Sequence, residues 1–297
     1  MIRKTVITLS IFVVAIAIAG FEKRRHAGPV TDILVGEKSI LTCSQGGVFR
    51  GDEAVPFPPG PYPRIVSLAG DPDGRFVASG GVPGESGIVA VSDPESGFLK
   101  PQKIADDLAV SVAVSDQKIF AALADGRVLE IGLDSIETRY EHTAAARSVA
   151  VSGDGKFLAS GGMDRLVLVS NLRKPEAVPI TILDHTDKVD CVAFSPDSAL
   201  VISGARDGKI RLHSPADGKL IRTYSGLEGR VSALFHSGKR LLAGTSRGKI
   251  YELSLESNSS ELIAEFGKTE PVSALAIDRE GRVLAGLRDR VETVKNE

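Results

Sequence analysis

The stretch Val189-Asp190-Cys191-Val192-Ala193-Phe194-Ser195-Pro196-Asp197, continued by Leu200-Val201-Ile202-Ser203-Gly204 and Arg206-Asp207-Gly208-Lys209-Ile210-Arg211-Leu212-His213, decides the fold. It holds three extended runs and two tight turns. Equivalent units begin near Val30, Ile65, Ala109, Ala146, Val189, Val231 and Val272, separated by 35, 44, 37, 43, 42 and 41 residues. A recurrence of about 40 residues matches one propeller blade. Within units, apolar and small or polar residues alternate, as in Val110-Ser111-Val112-Ala113-Val114 and Ser148-Val149-Ala150-Val151, the pattern of half-buried strands. One set of turns carries Asp73-Gly74, Asp154-Gly155 and Glu280-Gly281; the next carries Asp125-Gly126, Asp207-Gly208 and Arg247-Gly248. Glycine there supplies the positive φ of a hairpin turn. A fourth run follows, seen as Leu220-Ile221-Arg222-Thr223-Tyr224 and Glu261-Leu262-Ile263-Ala264-Glu265-Phe266. The reading is an all-β, seven-bladed β-propeller of four-stranded antiparallel blades over residues 21–297.

Composition narrows the function classes. Of 297 residues, 36 are Lys or Arg and 38 Asp or Glu, a net charge of -2, which argues against a general nucleic-acid binder. Hydrophobic residues at 42% and charged residues at 25% describe a globular chain able to form a core without disulfides. Cys43 and Cys191, far apart in sequence, read as small buried apolar residues. Tryptophan is absent, which disfavours a carbohydrate-stacking platform.

The N-terminus stands apart from the repeats. Arg3 and Lys4 precede an apolar run from Thr5 to Gly20, and Ala17-Ile18-Ala19 offers a small-x-small cleavage pattern. As a helix the run reaches about 24 Å, short of a hydrocarbon layer of roughly 30 Å. Lys23, Arg24 and Arg25 follow at once and resist translocation. Residues 1–20 are therefore read as a signal peptide or membrane anchor. Three arrangements stay open: a cleaved export signal, a retained anchor with the propeller outside the cytoplasm, and the reverse orientation. No cysteine follows the run, which disfavours a lipoprotein anchor. The expected location is exported, periplasmic or membrane-anchored, with membrane contact through residues 5–25. The chain ends after three strands of unit seven, and Phe21 to Arg25 are in register to add the fourth as a clasp.

The stretch Ser203-Gly204-Ala205-Arg206-Asp207-Gly208-Lys209-Ile210-Arg211-Leu212, preceded by His185 and Phe194-Ser195-Pro196-Asp197, resembles a WD repeat, and weaker units cover nearly all of residues 26–297. The Trp-Asp pair that names this family is replaced by His213-Ser214 in unit five and Val169-Ser170 in unit four. The resemblance implies a structural staple in each of these blades: His142, Ser160 and Asp164 in blade four, and His185, Ser203 and Asp207 in blade five. It also accounts for the spacing of His26, His142 and His185, each four residues before a unit start. Histidines spread over different blades do not converge on a metal. His213 falls at the tryptophan position and His236 is placed in a turn. No metal or cofactor is expected.

Catalytic signatures are lacking: there is no CxxCH, GxSxG, GxxxxGK[ST] or HExxH. Gly80-Gly81 and Gly161-Gly162 read as repeat turns, since neither precedes a helix. Carboxylates such as Asp190, Asp207 and Asp289 are scattered by the repeat. A hydrolase or lactonase site at the central channel is the alternative reading, with no pair selected. The preferred reading is a non-enzymatic scaffold for protein partners, because loops from all blades converge on one face. That face is expected to carry Arg147, Lys188, Asp190, Arg206, Arg230, Ser273 and Arg288, an arginine-leaning set suited to a protein partner with an acidic segment. A membrane-associated complex fits the N-terminus, and no nucleic acid is expected. Between units one and two, Pro56-Phe57-Pro58-Pro59-Gly60-Pro61-Tyr62-Pro63 is read as a stiff connector replacing a shortened outer strand.

Overall fold

The computed structural model describes residues 29–35, 39–44, 47–50, 53–55, 64–70, 75–92, 99–115, 118–132 and 134–294. These form seven antiparallel sheets, six of four strands and one of three, and each strand pairs with its neighbour in sequence. The first strand of each sheet packs against the first strands of the sheets beside it, so seven blades circle one axis. These inner strands are Asp32–Val35, Ile65–Gly70, Ala109–Ser115, Ala146–Val151, Val189–Phe194, Val231–Ser237 and Ala274–Ile277. Among the described residues there is no helix.

The apolar core divides by joints. Side chains that alternate to one face of a strand meet those of the next blade, which gives a buried cluster at every joint. Phe157, Val167 and Val169 of blade four meet Val189, Val192 and Val201 of blade five. The joint between blades five and six sets Ile202, Ile210 and Leu212 against Val231, Leu241 and Tyr251. At the last joint, Ala274, Ala276, Leu284 and Val291 of blade seven bury Val30 and Ile33 of blade one. The two ends of the described chain thus share a core and close the ring. The Val30 amide donates to the Leu287 carbonyl at 3.0 Å, and the Ser273 hydroxyl donates to the Val30 carbonyl.

The Asp-Gly turns adopt the backbone that their residues favour, with φ of +71° at Gly208 and +102° at Gly126. A second use of glycine is steric. A Cβ on Gly161, Gly204 or Gly244 would lie 2.6, 2.5 or 2.5 Å from Cγ1 of Val189, Val231 or Val272, each at the inner edge of the following blade. Where blade three has Ala122 instead, blade four opens with Ala146, and both are fully buried in one cluster. The methyl gained at Ala122 partly offsets the two lost at Ala146.

One difference from the sequence reading appears. His236 lies within the inner strand Val231–Ser237, opposite Leu241, rather than in a turn. The Ser237–Arg240 pairing leaves Gly238 and Lys239 as the two turn residues, with Gly238 at φ +56°. Blade seven has three strands among the described residues. The signal or anchor segment, the membrane contact at residues 5–25, the clasp at residues 21–25, His26, Asp73-Gly74 and the proline connector lie outside the described residues. The outer strand beside that connector, Glu53–Ala54, is two residues long.

Candidate functional site

A chain of contacts runs from blade to blade around the channel. Asp32 Oδ2 accepts the Leu68 amide at 2.8 Å and the Ser67 hydroxyl at 3.1 Å. Ser67 Oγ accepts from Val112 N at 3.4 Å, Ser111 Oγ from Val149 N at 3.2 Å, and Ser148 Oγ from Val192 N at 3.1 Å. Cys191 Sγ then reaches the Val231 carbonyl at 4.0 Å, and Ser232 Oγ donates to the Val272 carbonyl at 2.6 Å. Ser273 completes the circuit to Val30. Small polar residues at the top of each inner strand therefore tie all seven joints, and the loops above them rest on a rigid collar.

That collar surrounds a cavity of about 540 Å³ lined by residues of every blade. Four arginines from four blades border it: Arg64, Arg147, Arg206 and Arg230. Arg206 pairs with Asp190 through two bonds, Nε to Oδ2 at 2.9 Å and Nη2 to Oδ1 at 3.2 Å, a fork geometry that arginine alone provides. Arg147 Nε stands 3.6 Å from Asp190 Oδ1. A single carboxylate, largely buried, thus serves two guanidinium groups. Arg64 and Arg230 are exposed, and neither has a carboxylate partner among the described residues. The lining also holds Ile65, Val66, Val110, Leu234 and Leu275 but no aromatic side chain among the described residues.

Of the residues named from sequence for this face, Arg147, Asp190, Arg206, Arg230 and Ser273 border the cavity. Lys188 and Arg288 do not. Lys188 is half-buried, with its amide on Asp187 Oδ1 at 2.7 Å and its carbonyl accepting from Arg206 N, while Arg288 is exposed in the turn after the strand Val283–Gly286. Arg64 was missed. It stands directly before an inner strand, as Arg230 stands before Val231, and that correspondence within the repeat was the available signal.

Asp32, on the channel wall, has its pKa raised to about 6 because burial disfavours the charge, against the opposing hydrogen bonds from Leu68, Ile33 and Ser67. Cys43 and Cys191 are free thiols, and burial pushes both far above the usual range, which leaves them poor nucleophiles. Asp289 contacts Arg290 at 3.1 Å, away from the cavity lining.

The histidine groups of blades four and five sit apart from the mouth. His142 Nε2 is 2.8 Å from Ser160 Oγ and its Nδ1 is 3.0 Å from Asp164 Oδ1, all three side chains being buried. His185 Nε2 is 2.7 Å from Ser203 Oγ, and its Nδ1 is 3.3 Å from Asp207 Oδ2. Blade five adds Arg211, whose Nη1 reaches Asp207 at 2.8 Å and His185 Nδ1 at 2.5 Å. Burial opposes the Asp207 charge, but contacts with His185, Arg211 and the Thr186 amide outweigh it and hold the carboxyl well below its ordinary range. His213, fully buried at the end of the third strand, places Nε2 2.7 Å from Asp184 Oδ2.

Among the described residues, six four-stranded units and one three-stranded unit around an axial cavity define the molecule as a β-propeller with a polar channel mouth. Residues 134–169 and 177–214 match the family model described as WD domain, G-beta repeat, and these matches together with WD-repeat relatives support a WD-repeat β-propeller family. It is 30% identical over 142 residues to an uncharacterized WD repeat-containing protein of Synechocystis, covering 46% of this chain and 40% of that one. It is 26% identical over 215 residues to a guanine nucleotide-binding protein subunit beta of Zea mays, covering 64% and 57%. Thus the matched region spans well under two thirds of either relative. Among solved structures, the WD40 β-propeller domain of Doa1 superposes with a TM-score of 0.73 at 17% identity, covering 92% of this chain and 96% of that one.

Proposed function

We propose that this protein is a non-catalytic, rigid platform for protein partners, exported or tethered at the cell envelope. The observation that carries the reading is the placement of four arginines from four blades around one cavity, on a collar bonded across every joint. A platform needs binding groups whose positions do not relax when the partner arrives, because ordering them on binding costs affinity. Arg147 lies on an inner strand, Arg64 and Arg230 directly precede one, and Arg206 directly follows the strand Val201–Ala205, positions better fixed than those on free loops. The envelope location rests on the basic-apolar-basic pattern of residues 3–25. The test is affinity capture from membrane and soluble fractions with mass spectrometry, together with N-terminal sequencing of the mature protein. Reproducible co-purification of a protein from an envelope fraction is the expected result. Recovery of a lone monomer from every fraction would sink the platform, and an intact Met1 on a soluble cytoplasmic protein would sink the location.

A further inference from the structure

We infer that the partner enters the channel mouth with an acidic side chain from a flexible polypeptide segment, and that Asp190 already occupies one of the seats such a carboxylate would take. This rests on the platform reading and names its ligand class.

The argument begins with charge. Several arginines elsewhere in the molecule are paired closely with carboxylates, Arg240 with Glu252 at 2.8 Å and Arg290 with Glu270 at 2.9 Å among them. At the mouth, four guanidinium groups border a cavity to whose lining, among the described residues, only Asp190 and Asp32 contribute carboxylates. Asp32 faces three donors of its own, from Leu68, Ser67 and Ile33, so it does not neutralise the arginines. Asp190 serves Arg206 and Arg147 together, and Arg64 and Arg230 remain without a carboxylate among the described residues. The mouth therefore has a local positive excess in a chain whose net charge is -2. Cavity walls of low dielectric concentrate such a field on an entering anion.

Geometry and lining select the kind of anion. Asp190 displays the preferred mode on the molecule itself, one carboxylate gripped by the fork of Arg206. A cavity of about 540 Å³ admits a side chain with its neighbours but not a folded domain. Single-stranded nucleic acid is disfavoured because its sequence-tolerant binding relies on aromatic platforms, and the described residues of this lining include none. The aliphatic groups Ile65, Val66, Val110, Leu234 and Leu275 instead suit apolar residues flanking an acidic one.

The experiment uses the full chain and fluorescence anisotropy with two labelled probes, a flexible octapeptide alternating glutamate and leucine and its glutamine counterpart. The glutamate peptide should bind, its affinity falling with salt, while the glutamine peptide should bind at least about tenfold more weakly, as expected for loss of charge-assisted bonds. Arg64→Ala with Arg230→Ala, both at exposed positions, should weaken the glutamate peptide about tenfold or more with the unfolding midpoint unchanged. Asp190→Asn should tighten it several-fold by releasing Arg147 and Arg206; should that variant fail to fold, Arg64→Glu, which should weaken binding, serves in its place. No binding up to about 1 mM, equal binding of the two peptides, or full affinity in the double arginine variant would overturn the inference. Tenfold tighter binding of a phosphopeptide or of a single-stranded oligonucleotide would overturn it in favour of that class. Repeating the membrane capture with the double arginine variant separates the two readings. Undiminished capture of the same partner leaves the platform standing and removes this site, whereas no capture by the native chain removes the platform.

Discussion

In blade four the only strong partner of His142 Nδ1 is the Asp164 carboxylate, so Nδ1 donates and Nε2 accepts from the Ser160 hydroxyl. In blade five the Arg211 guanidinium and the Asp207 carboxylate both approach Nδ1 of His185, at 2.5 and 3.3 Å, and Nε2 lies 2.7 Å from the Ser203 hydroxyl, itself 3.4 Å from the Arg211 carbonyl. The two staples share residue types, but blade five adds a guanidinium that contacts both the histidine and the aspartate. Register explains the difference: Leu168 stands opposite Ser160, and Arg211 opposite Ser203. Removing charge should therefore have unequal effects. Asp164→Asn keeps an oxygen for His142 and should cost about 1–2 kcal/mol. Asp207→Asn strips the partner from a buried guanidinium and should cost about 3–5 kcal/mol. Replacing Arg211 by leucine, the residue of blade four, should recover much of that loss in the double variant. Urea unfolding of the four proteins decides it, and equal penalties for the two asparagine variants would show that Arg211 does not depend on Asp207.

Between elements, the joint is the unit of packing, and its tolerance is set by one pair of positions. A methyl added at Gly204 meets Val231 Cγ1 at 2.5 Å and Cys191 Sγ at 2.8 Å, and the stiff β-branched valine has few ways to yield. Gly204→Ala should therefore cost about 1–3 kcal/mol through overpacking. Val231→Ala alone should also destabilise, by opening a void at a fully buried site. The double variant should be more stable than the sum of the two losses implies, since it recreates the alanine pair of Ala122 and Ala146. Additive losses in chemical denaturation would refute this account of the joint. The same pairs explain what was legible in sequence. Period, alternation and Asp-Gly turns revealed the propeller because each blade repeats the same local chemistry. Gly238-Lys239 lacks that turn signature, so the strand carrying His236 was cut short. Asp190 and Arg206 were readable as members of one face, but the second claim of Arg147 on Asp190 crosses from blade four to blade five and exists only once the ring is built. Arg64 follows a proline-rich stretch without repeat markings, which hid its likeness to Arg230.

At the scale of the whole ring, titration of buried groups couples stability to pH. His142, His213 and His236 all have lowered pKa values, in each case first because burial disfavours the imidazolium, with Asp164, Asp184 and Asp197 respectively pulling the other way. A histidine that resists protonation in the fold but accepts it near pH 6.5 when unfolded favours the unfolded chain as acidity rises. Its contribution is complete above that value and declines below it. Asp32 works in the opposite sense. Its pKa is raised to about 6 from 3.8, so the fold gains from its protonation as pH drops through that interval, and loses that gain as pH rises past 6. Three histidines set against one aspartate should leave a net loss between pH 7 and pH 5. The thermal midpoint of the native chain should fall by a few °C over that range. Asp32→Asn removes the opposing titration while keeping a side-chain oxygen for the Leu68 amide, so its midpoint should fall more steeply over the same two pH units. Circular dichroism melts at pH 8, 7, 6 and 5 provide the measurement. A midpoint that holds or climbs on acidification, or parallel profiles for the two proteins, would mean that these buried groups do not govern how the closed ring responds to protons.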